Sequence, residues 1–264
     1  MEVLPPDLHV HTEWSWDAPL GDMERSCERA LEIGLPAIAF TEHADWALVH
    51  KGQHPVDIAG YLDAVDRCRA RFPNLRILTG VELGEPHLYP KETAEILAAG
   101  PLDRVLGSIH SIRLDGDLLD ASQFRDREGL DFPAAVREYF RETLAMVDSG
   151  QPFETLAHLD YPKRYWVAGA APYREKDYQE EIRAILVACA RTGRVLEVNT
   201  TRGNILCPDI TVVRWWREVG GQAVQYGSDA HQPDKVGEGF AVATQMVESA
   251  GFKPARDPMD LWRR

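Results

Sequence analysis

Short apolar runs alternate with amphipathic segments along the whole chain. The apolar runs fall at residues 4–10, 36–41, 76–83, 105–110, 155–158, 195–199 and 222–226, each short enough to be a buried strand. Between and after them, residues 22–33, 57–72, 90–99, 133–149, 178–192, 209–219 and 239–250 carry helical patterning. The clearest case is 178–192, where Ile182, Ile185, Leu186 and Cys189 recur on one helical face. Local punctuation agrees. Gly34 follows the first helix, Asp131 stands where a cap belongs, and Pro133 suits a first turn. About seven β-α units in a row predict a parallel sheet, open or closed into a barrel. The stretches 44–56, 111–130 and 159–173 are expected to be irregular and functional. The polar tail from Lys253 onward is expected to dock loosely.

A chain of 264 residues suits one α/β barrel, and no linker-like stretch interrupts it, so a single domain over 1–264 is expected. Hydrophobic residues at 44% and charged residues at 27% are ordinary for a soluble globular protein. Acidic residues outnumber basic ones by 42 to 29, and no Lys or Arg run stands out. That balance argues against long nucleic acid as a partner. It also means that an anionic substrate needs a locally positive site, which bound metal would supply. Cys27, Cys68, Cys189 and Cys207 form no CxxC pair and are expected to be buried thiols rather than a zinc knuckle. No window approaches the roughly 20 apolar residues of a membrane span, and the first residues hold no apolar signal core. A cytoplasmic location is therefore expected. Oligomeric state is left open.

Histidines and carboxylates gather at the strand ends. The first strand ends in Asp7-Leu8-His9-Val10-His11-Thr12, the second in Thr41-Glu42-His43 and the third in Gly80-Val81-Glu82. The fourth ends in Ser108-Ile109-His110, the fifth in Ala157-His158-Leu159-Asp160 and the seventh in Ser228-Asp229-Ala230-His231. In parallel α/β folds, chemistry sits at the C-terminal ends of the strands. Side chains at i and i+2 of a strand point the same way, so His9 and His11 converge on one point. A single histidine at a strand end is ordinarily just a hydrogen-bonded side chain. Six such motifs along one α/β repeat predict a joint metal site. Imidazole and carboxylate donors without thiolate suit zinc, manganese or iron. Trp14, Trp16, Trp46, Tyr161, Tyr165 and Trp166 lie in the same strand-end loops and could wall a substrate pocket.

The ordered set Asp7-x-His9-x-His11-Thr12, Thr41-Glu42-His43, Gly80-x-Glu82, Ser108-x-His110, His158 and Ser228-Asp229-x-His231 resembles the PHP (polymerase and histidinol phosphatase) superfamily. The resemblance implies a distorted (β/α)7 barrel with two or three divalent metal ions (zinc, manganese or iron) at the strand ends. Carried over by position, one metal would take His9, His11, Glu82 and Asp229. A second would share Glu82 and add His110 and His158; a third would take Asp17, His43 and His231. Asp7 and Glu42 would hydrogen-bond the free ring nitrogens of ligating histidines.

Within the superfamily, the stand-alone length, Leu196-Glu197-Val198-Asn199-Thr200, and Ser228–His231 followed by Pro233 and Val236-Gly237 resemble the histidinol-phosphate phosphatase branch. The resemblance thus implies a phosphomonoesterase of histidine biosynthesis, with Glu82, Asp229 and His231 at the reacting centre. A metal-bridging hydroxide would attack the phosphorus of L-histidinol phosphate. Arg202, Arg164 and Lys163 are the candidates to hold the phosphate. The alternatives are a phosphoesterase acting on a nucleotide or other small ester, and a non-catalytic metal-binding module.

Overall fold

The predicted alternation is realised in the computed structural model, which describes residues 4–166, 172–202 and 205–264, Arg202 through its backbone alone. The helices are α1 (Met23–Ile33), α2 (Trp46–Val49), α3 (Ile58–Arg71), α4 (Pro90–Ala98), α5 (Phe132–Asp148), α6 (Gln179–Thr192), α7 (Ile210–Glu218) and α8 (Phe240–Ser249). The strands are β1 (Asp7–Val10), β2 (Ala37–Asp45), β3 (Arg76–Gly84), β4 (Arg104–Ser108), β5 (Ser111–Leu114), β6 (Asp117–Asp120), β7 (Thr155–Leu156), β8 (Val195–Arg202), β9 (Ile205–Cys207), β10 (Ala223–Gly227) and β11 (Trp262–Arg263). Aspartates start the main helices. Asp22 accepts from Arg25 N–H (2.9 Å), Asp57 from Gly60 N–H (3.1 Å) and Asp131 from Ala134 N–H (3.1 Å), each satisfying a donor the helix itself leaves free. Gly34, in the left-handed region at φ 78°, ends α1 where the sequence placed the stop.

Among the described residues, seven strands, β1, β2, β3, β4, β7, β8 and β10, are parallel neighbours in that order. They curl into a distorted (β/α)7 barrel. Outside it, α1 packs on α3, α5 on α6, α6 on α7 and α7 on α8. The distortion lies at the seam. There β1 and the segment after β10 meet through one parallel bridge, Val10 with Ala230, rather than a ladder. His11 N–H donates to Ala230 O (2.8 Å) and Asp229 N–H to His9 O (2.7 Å). Asp7 completes the closure, its carboxylate accepting from Ser228 N–H and Gly237 N–H, both at 2.9 Å. Asp7 therefore stitches the seam; it does not orient a histidine ring as the resemblance implied. Burial outweighs these donors and pushes its carboxyl up to about 6.

Three further expectations change. The second strand runs on to Asp45 because its register with β3 continues through Ala44–Leu83 and Asp45–Gly84, which puts His43 on the strand itself. Residues 111–130 are not wholly irregular. β5 and β6 form a hairpin whose Asp115-Gly116 turn has both φ angles positive, 52° and 92°, as a two-residue hairpin turn requires. The tail is firmly packed. β11 adds antiparallel to β10, Trp262 is 3% exposed, and its ring lies 5.1 Å from that of Tyr226. A large ring offers more apolar area to bury than the polar residues around it suggested. All four cysteines are buried and unbridged.

Trp262→Ala should lower unfolding free energy by about 3–5 kcal/mol, as for other buried tryptophans, measured by urea denaturation. A loss below about 1 kcal/mol would mean the tail contributes little.

Candidate metal centre

Glu82, on β3, is the hub of the site. Its two oxygens lie 3.3 Å from His9 Nε2, 3.4 Å from His11 Nε2, 3.1 Å from His43 Nδ1, 3.4 Å from His110 Nε2 and 2.7 Å from His158 Nε2. His9 ends in β1, with His11 two residues on, and their Nε2 atoms are 3.0 Å apart. Asp229 closes the opposite side, with Oδ1 3.3 Å from His11 Nε2 and 3.6 Å from His9 Nε2. Asp17, in the loop after β1, reaches His231 Nε2 (2.9 Å) and His43 Nε2 (3.3 Å). The structure thus gathers Asp17 and the eight other residues carried over as metal ligands into one cluster. Four sets bring donor atoms within 4.8 Å of one another: His9–His11–Glu82, His9–His158–Asp229, His43–Glu82–His110 and His11–His43–His231.

Hydrogen bonds on the far ring nitrogens decide how these imidazoles present themselves. His9 Nδ1–H donates to Glu197 Oε1 (2.6 Å) and His110 Nδ1–H to Asp45 Oδ2 (2.9 Å). His231 Nδ1–H donates to the Asp229 carbonyl (2.9 Å). Ser15 Oγ donates to Glu42 (2.6 Å), which leaves it to accept from His11 Nδ1–H (3.2 Å) and His43 N–H (3.0 Å). Four imidazoles are thereby held by Nδ1–H, with Nε2 facing the cluster. His9 Nε2 and His11 Nε2, 3.0 Å apart, must share either a proton or a metal cation between them. Glu82 Oε2, His43 Nδ1 and His158 Nδ1 are buried without a hydrogen-bond partner among the described residues, so spare donor atoms remain. This donor set fits divalent cations with nitrogen and oxygen preference.

The charges are strongly coupled. Burial pushes the Glu82 carboxyl up, but His9, His110 and His43 outweigh it and hold the group well below the usual carboxylate range. Asp229 is likewise held low, against its burial, by His9 and Arg164. Burial lowers His11, with His43 and His231 adding repulsion, and burial also lowers His158. For His43, burial opposes charge, yet Asp17 and Glu82 prevail and push it up to about 10. Ligating imidazoles must be deprotonated, so cation binding here is coupled to proton release.

Backbone geometry serves the same end. His158 and Asp229 sit in the left-handed region, at φ 21° and 52°, a conformation costly for non-glycine residues. It is held by His158 N–H donating to Glu197 Oε2 (2.8 Å) and Asp229 N–H donating to His9 O (2.7 Å). Gly227 is constrained by proximity, because a Cβ there would fall 2.5 Å from His9 Cβ and against Glu197 Oε1.

Above the cluster opens a cavity of about 230 Å³, lined by His43, His110, His158, Asp229, His231 and Arg164 among others. Arg164 is buried, its guanidinium 3.0 Å from Asp229 Oδ2 and bonded to Asn199 Oδ1. Lys163 does not line the cavity. Glu175 (2.7 Å) and Asp160 (3.6 Å) hold its ammonium. The Arg202 side chain lies outside the described residues. Of the aromatic candidates, Trp16, Tyr161 and Tyr165 line the cavity and Trp14, Trp46 and Trp166 do not. Sequence reasoning passed over Glu197, Asp45 and Ser15. The signal for Glu197 was its place at an alternate position of the apolar strand Leu196-Glu197-Val198-Asn199, where a carboxylate must face a polar interior.

The PHP domain family model matches residues 7–201. The probable histidinol-phosphatase of Clostridium acetobutylicum is 29% identical over 255 residues, covering 94% of each chain. The histidinol-phosphatase of Lactococcus lactis subsp. lactis is 26% identical over 257 residues, covering 93% of this chain and 91% of that one. A crystal structure of histidinol phosphate phosphatase from Lactococcus lactis, complexed with zinc, L-histidinol and phosphate, matches with a TM-score of 0.83 at 22% identity. That match covers 98% of this chain and 99% of that one, and at this identity it is a likeness of fold.

Glu197→Gln should weaken zinc affinity by about 10- to 100-fold through loss of the charge that orients His9, read by competition with a chelating dye. Affinity within twofold of the parent protein would show that Glu197 has no part in orienting a ligand.

Proposed function

We propose, from the premise that this chain belongs to the PHP domain family, that it is a metal-dependent phosphomonoesterase hydrolysing L-histidinol phosphate to L-histidinol and phosphate. The observation that carries this reading is the buried nitrogen and oxygen donor cluster at the floor of a cavity into which Arg164 also faces. The relatives named histidinol-phosphatase, matched over nearly their whole length, support the choice of ester. So does a neighbour in fold that holds zinc, L-histidinol and phosphate.

Two or three divalent cations, zinc, manganese or iron, would be held by the three ligand sets carried over above, with Glu82 shared between two of them. When bound they would supply Lewis acidity and a water activated for attack on phosphorus. The residues of the chain do the positioning. Glu82, which faces five imidazoles, and the adjoining Asp229 and His231 define the reacting centre. Arg164 spends N–H groups on Asp229 and Asn199, and a guanidinium has five, so donors remain for phosphoryl oxygens, where transition-state charge accumulates. Among the described residues Arg164 is the one Lys or Arg lining the cavity, against Asp17, Asp120 and Asp229. That imbalance is why an incoming phosphate requires bound cations.

As an enzyme of histidine biosynthesis the protein would act in the cytoplasm, with residues 1–264 forming one barrel domain. No helix among the described residues is long and apolar enough to cross a membrane.

The test is phosphate release by the zinc- or manganese-loaded protein from L-histidinol phosphate, nucleoside monophosphates and p-nitrophenyl phosphate. A preference for histidinol phosphate of about a hundredfold in kcat/KM, roughly 2.7 kcal/mol of discrimination, is expected. A better nucleotide substrate would redirect the assignment, and no hydrolysis with metal bound would leave a metal-binding module. Glu82→Gln should abolish measurable turnover while the circular dichroism spectrum is kept; an active variant would refute the assignment of the reacting centre.

A further inference from the structure

The cavity is lined by more than metal-type donors. Asp120 and Ser122 line it together with the rings of Trp16, Tyr161 and Tyr165. Asp120 closes β6 and is 8% exposed. One of its oxygens caps the turn at 121–126 by accepting from Ser122 N–H (2.7 Å). The Tyr161 ring packs against the metal-type histidines. Its centroid lies 5.0 Å from that of His158 and 5.3 Å from that of His110, and Tyr165 Oη donates to its hydroxyl at 3.1 Å. The carboxylates that line the cavity differ in their partners. Asp17 is matched by His231 and His43, and Asp229 by Arg164 and His11. Asp120 forms no ion pair among the described residues.

A buried carboxylate without a cation is unfavourable unless a partner arrives with the ligand. A phosphate ester would repel it, so it is placed to favour a ligand whose other end is positive. Aromatic rings lining the same cavity suit the same charge, because ring quadrupoles attract cations. We propose that Asp120, in a cavity also lined by Trp16, Tyr161 and Tyr165, forms the subsite that receives the cationic amino group of the substrate's alcohol. Asp120 is then a specificity-determining residue that selects phosphate monoesters of amino alcohols over those of neutral or anionic alcohols. This rests on the phosphomonoesterase reading above.

Asp120→Asn removes the charge but keeps an oxygen able to cap the turn, since Asn and Asp serve that position about equally. Two measurements are made on the zinc-loaded protein. Calorimetric titration of L-histidinol, with inorganic phosphate present, should show roughly tenfold to hundredfold weaker binding in the variant, as for loss of a charged hydrogen bond. The ratio of kcat/KM for L-histidinol phosphate over p-nitrophenyl phosphate should fall by a similar factor, mainly through KM. Equal losses on both esters, or L-histidinol affinity within twofold of the parent, would overturn the subsite and leave Asp120 as a turn cap. If the parent protein hydrolyses neither ester, the proposed function falls and the titration alone decides the subsite. No L-histidinol binding by the parent would overturn the subsite too.

Discussion

A fully buried carboxylate within 3.4 Å of five imidazoles, Glu82 among His9, His11, His43, His110 and His158, is the contact around which the barrel is organised. A charge so placed is tolerated only with partners on every side, and removing one partner from such a buried set typically costs about 3–5 kcal/mol. The five rings come from β1, the loop after it, β2 and the segments after β4 and β7. They can converge only if the sheet curls enough to bring its first and last parallel strands together. Asp7 makes that closure with two backbone bonds to the chain after β10. Closure and site are therefore one requirement: the same seam that joins β1 to residues 228–237 sets His9 and His11 beside Asp229 and His231.

The centre is oriented from behind. Glu197, Asn199, Arg164 and Asp229 form a chain of hydrogen bonds that starts at His9 Nδ1 and returns to the cluster on its far side. The chain commits His9 Nδ1 and Asp229 Oδ2, leaving His9 Nε2 and Asp229 Oδ1 to the cluster. Such preorganisation makes left-handed φ angles at His158 and Asp229 sustainable, because the surrounding bonds fix both residues. It also reconciles a net charge of −13 with a phosphate ester. Surface charges are screened over about 10 Å, whereas cations held by this cluster would act on the phosphate at contact distance.

The fold was legible because its signals are local. Strand and helix periods lie within a few residues of chain, so all seven parallel strands and the capped helices could be placed from pattern alone. The gathering of donors was legible because strand ends in parallel α/β folds share one face. What failed was of another kind. The end of β2 depended on register with β3, and the packing of Trp262 depended on an open edge of β10. The Asp115-Gly116 turn was readable and overlooked.

The sequence by itself determined the number of β-α units, their order and the set of side chains at their C-terminal ends, since each depends on neighbours along the chain. The tertiary structure decided which group orients which. His9 meets Glu197 across 188 positions and His110 meets Asp45 across 65, while Asp7, two residues from His9, turns to the seam instead. It also set Lys163 on Glu175 and Arg164 in the cavity, although the two are adjacent in sequence. Hydrogen bonds are short-ranged and directional, so partner choice depends on angstrom-level placement that only the closed barrel supplies.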